Sequence, residues 1–256
     1  MWRIAVEKVL SNKGSRSPGV DGKTRNHYLE ESQRTLLISQ IMRGIREKSY
    51  RPQPVRRAYI PKNPNEKRPL GIPTIKDRVV QEALRLIVEP IFETKFHPQS
   101  YGFRPFRSTH HAVSRLHSLI GNRGFNWVVE GDVSKCFDRI DHNVLLNLLK
   151  KHVKDRRIIK LIRLMLNAGV MEELHWYDTE EGTPQGGIIS PLLANIYLHE
   201  LDCFIASKYE NLTFARRKRA PLRLFICRYA DDCAPRRRVQ ATGTAARLGI
   251  RLAAGR

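Results

Sequence analysis

Hydrophobic and polar residues recur along the chain with the two periods that distinguish helices from strands. Apolar positions at helical spacing predict helices over 29–48, 77–90, 109–120, 141–153, 156–166 and 189–206. Shorter apolar runs predict strands over 55–62, 67–73, 127–133, 173–177 and 223–230. The first two strands flank the polar turn NPNE, which predicts a β-hairpin. Because helices and strands are mixed without a regular βαβ period, the pattern predicts an α+β fold.

Local signals predict where two of the helices begin or end. Asp77 has a side chain suited to the N-cap of its helix, and Pro90 is expected to end that helix. Ser190 is the predicted cap of the last helix, with Pro191 at the first helical position.

Composition adds a strong preference about partners. The chain of 256 residues has 46 basic and 25 acidic residues, and its formal net charge is +21. Such an excess favours a polyanionic partner, most often nucleic acid, because each neutralised phosphate releases condensed counterions. An anionic membrane is the rival, but no stretch approaches the roughly 20 apolar residues of a spanning helix. We therefore expect a cytoplasmic nucleic-acid-binding protein without a membrane partner, and a ribosomal-type structural protein is an equally basic alternative.

Cysteine usage agrees with a reducing compartment. The four cysteines lack C-x-x-C spacing, so we expect inert thiols rather than disulfides or a metal site.

Two apolar strands end on carboxylates. The run VVEGD ends at Asp132, and the run FICRYADD ends at Asp231 and Asp232. Because burying several acids together is costly unless a cation neutralises them, these positions indicate either a metal site or ordinary strand ends at the surface. Mg²⁺ prefers a few carboxylates together with substrate phosphates and water, which suits three aspartates beside a nucleotide. Sequence spacing does not place Asp132 beside Asp231.

Three loops contain residues suited to phosphates and bases. In EGTPQGGIISPL the glycines permit close backbone approach to a ligand, although an ordinary loop-to-helix junction has the same composition. In SYGFRPFRS basic and aromatic residues interleave, which fits phosphate contacts and base stacking but also fits a packed surface loop. In IPKNPNEKRPLGIP the basic residues flank the hairpin turn, where they can grip phosphates or stay solvated.

Five segments occur in an order that resembles the reverse transcriptases of bacterial group II introns. They are RPLGIPTIKDRVVQEALRLIVEPIFE, SYGFRPFRSTHHAV, GDVSKCFDRIDH, GTPQGGIISPLLANIYLHELD and RYADD. The resemblance implies a right-hand polymerase with fingers and palm, in which a small antiparallel palm sheet is backed by helices. It also implies RNA-directed DNA polymerase activity, with an RNA template (the intron RNA), a DNA primer or target and dNTPs as partners.

The resemblance further implies roles for individual residues. Asp132 and Asp231 would be the principal ligands of two Mg²⁺ or Mn²⁺ ions, with the Val133 carbonyl as a further ligand and Asp232 supporting the site. The positions that would contact the incoming nucleotide are Lys62, Arg68, Phe137, Gln185 and Gly186. Phe137 would be the aromatic gate that excludes a ribose 2′-hydroxyl. The positions that would contact the RNA template are Tyr101, Arg104 and Arg107.

The sequence after Asp232 departs from this family pattern. The segment CAPRRRVQATGTAARLGIRLAAGR has no acidic residue, and Pro235 and the arginines 236–238 are unsuited to a buried strand. We expect an N-terminal extension and fingers over 1–125, a palm over 126–235 partly interleaved with the fingers, an aberrant basic tail over 236–256, and no thumb.

The same residues leave two alternatives to an active group II intron-type reverse transcriptase. A damaged palm hairpin would position primer and template poorly, so the chain could be a non-catalytic RNA-binding remnant of a group II intron reverse transcriptase. A viral-type RNA-dependent RNA polymerase is disfavoured, because that class usually has glycine where Ala230 stands.

Overall fold

The computed structural model of the chain describes residues 1–64, 66–121, 127–128, 131–133, 136–172, 175–177, 182–183, 186–210, 223–233 and 236–238. Within these ranges the α-helices are Trp2–Ser11 (α1), Glu31–Arg46 (α2), Ile75–Glu93 (α3), Thr109–Gly121 (α4), His142–His152 (α5), Arg156–Leu166 (α6) and Ser190–Ile205 (α7). The strands are Val55–Asn63 (β1), Glu66–Ile72 (β2), Trp127–Val128 (β3), Gly131–Asp132 (β4), Val170–Glu172 (β5), His175–Tyr177 (β6), Arg223–Phe225 (β7), Arg228–Tyr229 (β8), Asp232–Cys233 (β9) and Arg236–Arg238 (β10). The helices therefore follow the predicted periodicity closely, and the α+β class is confirmed.

The longest helix differs from its prediction at both ends. α3 begins before Asp77, because the Thr74 hydroxyl caps it by accepting a hydrogen bond from the Asp77 backbone N–H at 3.1 Å. The helix also continues past Pro90 to Glu93, so the prediction that Pro90 ends it is wrong. Pro90 lies on the exposed side while Phe92 is buried, and burial of this last turn keeps it helical. α7 likewise has Ile189 rather than Ser190 at its N-cap.

The predicted hairpin belongs to a larger mixed sheet. β1 and β2 pair antiparallel, with Ala58 opposite Leu70, as the NPNE turn predicts. β5, which was not predicted, runs parallel to β1 and pairs antiparallel with β6, so the sheet order is β2-β1-β5-β6. The hairpin is thereby attached to a strand that lies more than 100 residues further along the chain.

Two small antiparallel sheets occupy the predicted palm. Their orders are β3-β10-β7 and β4-β9-β8, so both take one strand from each of the same three stretches of chain. The central stretch includes β10, in which Arg236 pairs with Phe225 on one side and Val128 on the other. Arg236–Arg238 thus take part in this sheet through their backbones, because a sheet ladder needs only backbone donors and acceptors. Pro235 and residues 239–256 lie outside the described residues.

The main core lies where the helices meet. Its buried side chains come from α1, α2, α3, α5, α6 and α7, and include Val6, Val80, Leu145, Ile162 and Leu193. No helix in the described ranges is both long and apolar enough to cross a membrane. This helical layer supports the segments that form the site described next.

Candidate active site

The backbone brings the predicted carboxylate positions together. β4 and β9 pair antiparallel with Asp132 directly opposite Asp232, although the two are 100 positions apart in sequence. Asp231 precedes Asp232 in a tight turn, closed by pairing of Tyr229 with Asp232 between β8 and β9. The Asp231 side chain is half-buried. Asp132 thus joins the sequence neighbours Asp231 and Asp232 at one end of a three-stranded sheet.

This cluster offers ligands of the kind that divalent magnesium or manganese takes. Carboxylate oxygens and a backbone carbonyl, such as that of the adjacent Val133, are hard oxygen donors. Asp132 and Asp232 are placed by their backbones, and among the fully described side chains no group of three or more His, Cys, Asp or Glu is positioned to hold a metal. The strand register brings the backbones of Asp132 and Asp232 together, and carboxylate and carbonyl oxygens are the donor types that Mg²⁺ or Mn²⁺ takes.

The nucleotide gate predicted at Phe137 lies under the loop that contains the GTPQGG motif. Phe137 belongs to a single 3₁₀ turn, Cys136–Arg139, and is 9% exposed. The Thr183 N–H donates to the Phe137 carbonyl at 2.6 Å, and the Gly182 N–H donates to the Ile140 carbonyl at 2.9 Å. A Cβ on Gly182 would come within 2.9 Å of the Asp138 backbone. Close backbone approach thus explains the glycine at position 182.

The other side of this loop packs against the β1–β2 hairpin. Gly186 has φ +113°, and a Cβ on it would lie 2.6 Å from the Gly71 carbonyl oxygen of β2. The Ile188 N–H donates to the buried Gln81 side chain at 2.7 Å, which ties the loop to α3 as well. Of the other predicted nucleotide contacts, Lys62 and Arg68 are placed by their backbones near the tip of the hairpin, and Gln185 lies outside the described residues.

The predicted RNA-contacting loop has one half-buried arginine, Arg107, and one buried arginine, Arg104. The Arg107 guanidinium lies 5.5 Å from the centre of the Tyr101 ring. Burial raises the pKa of the Tyr101 phenol, whose hydroxyl donates to the Gln99 side chain at 2.7 Å. The Arg104 side chain is 3% exposed and forms a salt bridge with Glu93 at 2.6 Å. Arg104 therefore supports the loop from inside and has no free surface from which to reach an RNA backbone in this conformation.

Two aromatic rings of this loop, those of Phe103 and Phe106, lie at its surface. Phe103 lies edge-on to Phe137, with ring centroids 6.4 Å apart. Phe106 is fully exposed, and both phenylalanines have positive φ, at +57° and +60°. Non-glycine residues in this region are strained by roughly 1 kcal/mol or more. The Phe106 ring thus faces solvent, and the Phe103 ring lies against Phe137. Bases can stack on aromatic rings in such positions.

Sequence reasoning missed a buried polar group directly beneath the aspartates. Arg228 in β8 is 1% exposed and forms a salt bridge with the equally buried Asp202 of α7 at 2.8 Å. The signal was present, because Arg228 interrupts the apolar run FICRYA and Asp202 interrupts an apolar helix face. Buried charges of this kind are rare unless they are paired.

Comparison with known proteins now decides the family. The family described as reverse transcriptase (RNA-dependent DNA polymerase) matches residues 60–234, which include the three aspartates, the Cys136–Arg139 turn and the GTPQGG loop. The chain belongs to this family. Among reverse transcriptase relatives, the group II intron-encoded protein LtrA of Lactococcus lactis subsp. cremoris is 45% identical over 80% of this chain and 33% of its own length. The protein YkfC of Escherichia coli is 37% identical over 90% of this chain and 66% of its own length.

These relatives confirm the resemblance to group II intron-encoded reverse transcriptases. The chain spans about a third of the length of the Lactococcus relative and 66% of the Escherichia relative. Among solved structures, a partial Cas6-RT-Cas1–Cas2 complex superposes with a TM-score of 0.53 and covers 93% of this chain and 37% of that one. At 20% identity this last likeness shows the reverse transcriptase fold alone.

Proposed function

We propose that this chain forms the fingers and palm of a group II intron RNA-directed DNA polymerase. It would transfer a deoxynucleotide from a dNTP to a primer 3′-hydroxyl on an RNA template. The observation that carries the proposal is the register of β4 with β9, which sets Asp132 against Asp232 and next to Asp231. Phosphoryl transfer needs charge neutralisation at such a point more than it needs covalent chemistry.

Two Mg²⁺ or Mn²⁺ ions would be held by Asp132 and Asp231, with the Val133 carbonyl as a further ligand and Asp232 beside them. When bound, such ions lower the pKa of the attacking hydroxyl and stabilise the leaving pyrophosphate. The role of the chain is to hold its carboxylates on adjacent strands, so that little rearrangement is needed before reaction.

The nucleotide site would lie between the β1–β2 hairpin and the Cys136–Arg139 turn that contains Phe137. Gly186 contacts the hairpin, and Thr183 contacts Phe137, so a single loop connects the two walls. Lys62 and Arg68 would grip the triphosphate, and Gln185 would contact the nascent base pair. Phe137, with Phe103 at its edge, would exclude a ribose 2′-hydroxyl.

The template would pass along the loop that contains Tyr101, Phe106 and Arg107. The exposed Phe106 ring can stack on a base, and Arg107 can neutralise a phosphate while it remains stacked on Tyr101. The net charge of +21 supports an RNA partner, which for this family would be the intron RNA together with a DNA target in the cytoplasm.

Primer extension on an RNA template with dNTPs and Mg²⁺ tests the proposal. We expect the chain to extend the primer. Asp231→Asn should lower the rate of extension by at least about 100-fold, because a transition-state charge then loses a stabilising partner. Glu200→Gln is the matched control, since Glu200 is an exposed carboxylate that pairs with Lys151 on the far side of α7. RNA binding without any extension by the unsubstituted chain would support the non-catalytic alternative instead.

A further inference from the structure

The buried Arg228 lies in an apolar part of the palm. It follows the buried Ile226 and Cys227, and it precedes the turn that contains Asp231. Removing a guanidinium from water costs several kcal/mol unless its donors are satisfied. The presence of this charge three positions before Asp231 therefore needs a reason.

Each of the five guanidinium N–H groups of Arg228 has an acceptor. Nε and one hydrogen of Nη2 donate to the two carboxylate oxygens of Asp202, at 2.9 and 2.8 Å. The other Nη2 hydrogen is directed at the Ser100 hydroxyl oxygen, 2.8 Å away. Nη1 donates to the Asn195 side-chain carbonyl at 2.9 Å and to the Ala230 backbone carbonyl at 2.7 Å. A lysine has three donors and no planar fork, so it could not reproduce this set.

One of these bonds reaches the turn between β8 and β9. The Ala230 carbonyl that Arg228 binds belongs to a residue with φ +57°, which is costly for alanine. Gly102 packs on the same residue, because a Cβ on Gly102 would lie 2.2 Å from the Ala230 nitrogen. The Asn195 amide in turn donates to the Gly102 carbonyl at 2.8 Å. The strained turn is thus held from below by Arg228 and from the side by Gly102.

The partners of Arg228 connect the turn to the rest of the site. Asn195 and Asp202 are seven residues apart on α7, so both face the palm sheet from one side of that helix. α7 begins directly after the loop that contacts Phe137 and the hairpin. On the opposite side, the Tyr101 N–H donates to the Arg228 carbonyl at 2.9 Å, and the Arg228 N–H donates to the Gln99 carbonyl at 3.0 Å.

We propose that Arg228, Asp202 and Asn195 are positioning residues, which fix the turn of residues 229–232, and with it Asp231 and Asp232, relative to α7. They touch neither nucleotide nor metal in this role, and they act through the backbone of Ala230. The inference rests on the proposed polymerase function, because the carboxylates that the network would position are those of the proposed metal site.

Divalent-cation binding tests this role without requiring turnover. Free Mn²⁺ is followed by electron paramagnetic resonance while the chain is titrated, and kcat and the dNTP KM are measured in parallel by primer extension. The variants are Arg228→Lys, Asn195→Ala and their combination, with Asp231→Asn as the reference for loss of the site. Arg85→Lys is the matched control, because Arg85 also pairs with carboxylates (Glu82 and Glu89) but contacts no part of the turn.

We expect Arg228→Lys and Asn195→Ala each to weaken Mn²⁺ binding by about tenfold, as loss of a residue that orients metal ligands typically does. The double variant should lose less than the product of the two effects, because both act on one turn. The kcat should fall while the dNTP KM and the circular dichroism spectrum stay unchanged, and Arg85→Lys should match the parent chain.

A variant that melts earlier yet keeps the parental Mn²⁺ affinity and kcat would show that the network only stabilises the fold, and would overturn the inference. If Arg228→Lys does not fold, Asn195→Ala decides alone, since it removes an uncharged side chain and keeps both partners of the Arg228–Asp202 salt bridge. If Asp231→Asn leaves Mn²⁺ binding unchanged, the proposed metal site itself fails and this inference fails with it. Loss of Mn²⁺ affinity in Asp231→Asn but in none of the network variants overturns the inference alone.

Discussion

Gly186 is a residue at which backbone conformation and packing impose the same requirement. Its φ of +113° is rarely adopted by residues with a side chain, and its Cα lies against the β2 backbone with no room for a methyl group. The motif alone indicated that glycine permits close approach, but it did not say to what. The structure shows that the neighbour is protein, the Gly71 carbonyl, so this glycine joins loop to hairpin.

We expect Gly186→Ala to lower the free energy of unfolding by about 1–3 kcal/mol, from backbone strain together with the clash against Gly71. Urea denaturation measures the change. Gly121→Ala is the control, because a Cβ there meets nothing within 4 Å and the residue ends α4. Equal effects of the two substitutions would contradict the close packing of Gly186.

At the scale of elements, the start of α3 shows how local and tertiary bonds combine. The Thr74 hydroxyl caps the helix and also donates to the Asp77 carboxylate at 2.7 Å. The same carboxylate accepts from the Tyr50 hydroxyl at 2.6 Å and the Gln53 N–H at 3.1 Å. Burial raises the pKa of Asp77, and these donors oppose the rise. The helix start is thus tied to the segment that leads into β1.

Thr74→Ala should therefore lower the free energy of unfolding by about 1–2 kcal/mol, since it removes a cap and one donor to a buried carboxylate. Thr94→Ala, at the exposed C-terminal end of the same helix, should change it by no more than about 0.5 kcal/mol. Thermal or urea denaturation of both variants measures the difference, and a Thr74 effect as small as that of Thr94 would refute the capping role.

At the scale of the whole molecule, the charge excess is the dominant property. The buried basic groups described above are paired inside the protein, whereas Arg157 pairs with Asp155 at the surface and keeps 87% of its side chain exposed. A net charge of +21 on 256 residues produces a positive potential over much of the surface. Binding to RNA should accordingly be governed by release of counterions.

The association constant for structured RNA should fall by at least about 10³-fold between about 50 and 200 mM salt, as for proteins with six or more phosphate contacts. Fluorescence anisotropy with a labelled RNA at several salt concentrations measures this slope. Arg107→Gln should reduce the slope of log association constant against log salt concentration by about 1, the contribution of one phosphate contact. Lys151→Gln should leave that slope unchanged, because Lys151 pairs with Glu200. A slope near zero would contradict phosphate-dominated binding.

Sequence patterns alone were sufficient to predict α2 to α7, the hairpin, the carboxylates at the strand ends and the nucleic-acid preference. These follow from periodicity, turn residues and charge, each of which acts over a few neighbouring positions or over the whole composition. The local signal was less reliable at Pro90, where burial of the next turn outweighed the propensity of the residue.

Only the tertiary structure decided which distant residues meet. Asp132 faces Asp232 because β9 lies between β4 and β8, and no local pattern encodes that register. Arg228 is tolerated inside the palm because acceptors 26, 33 and 128 positions away converge on four of its five donors, and the Ala230 carbonyl accepts from the fifth. A charged residue in an apolar strand can lie at the surface or be buried in a network of hydrogen bonds. Only the folded arrangement of its partners distinguishes these two environments.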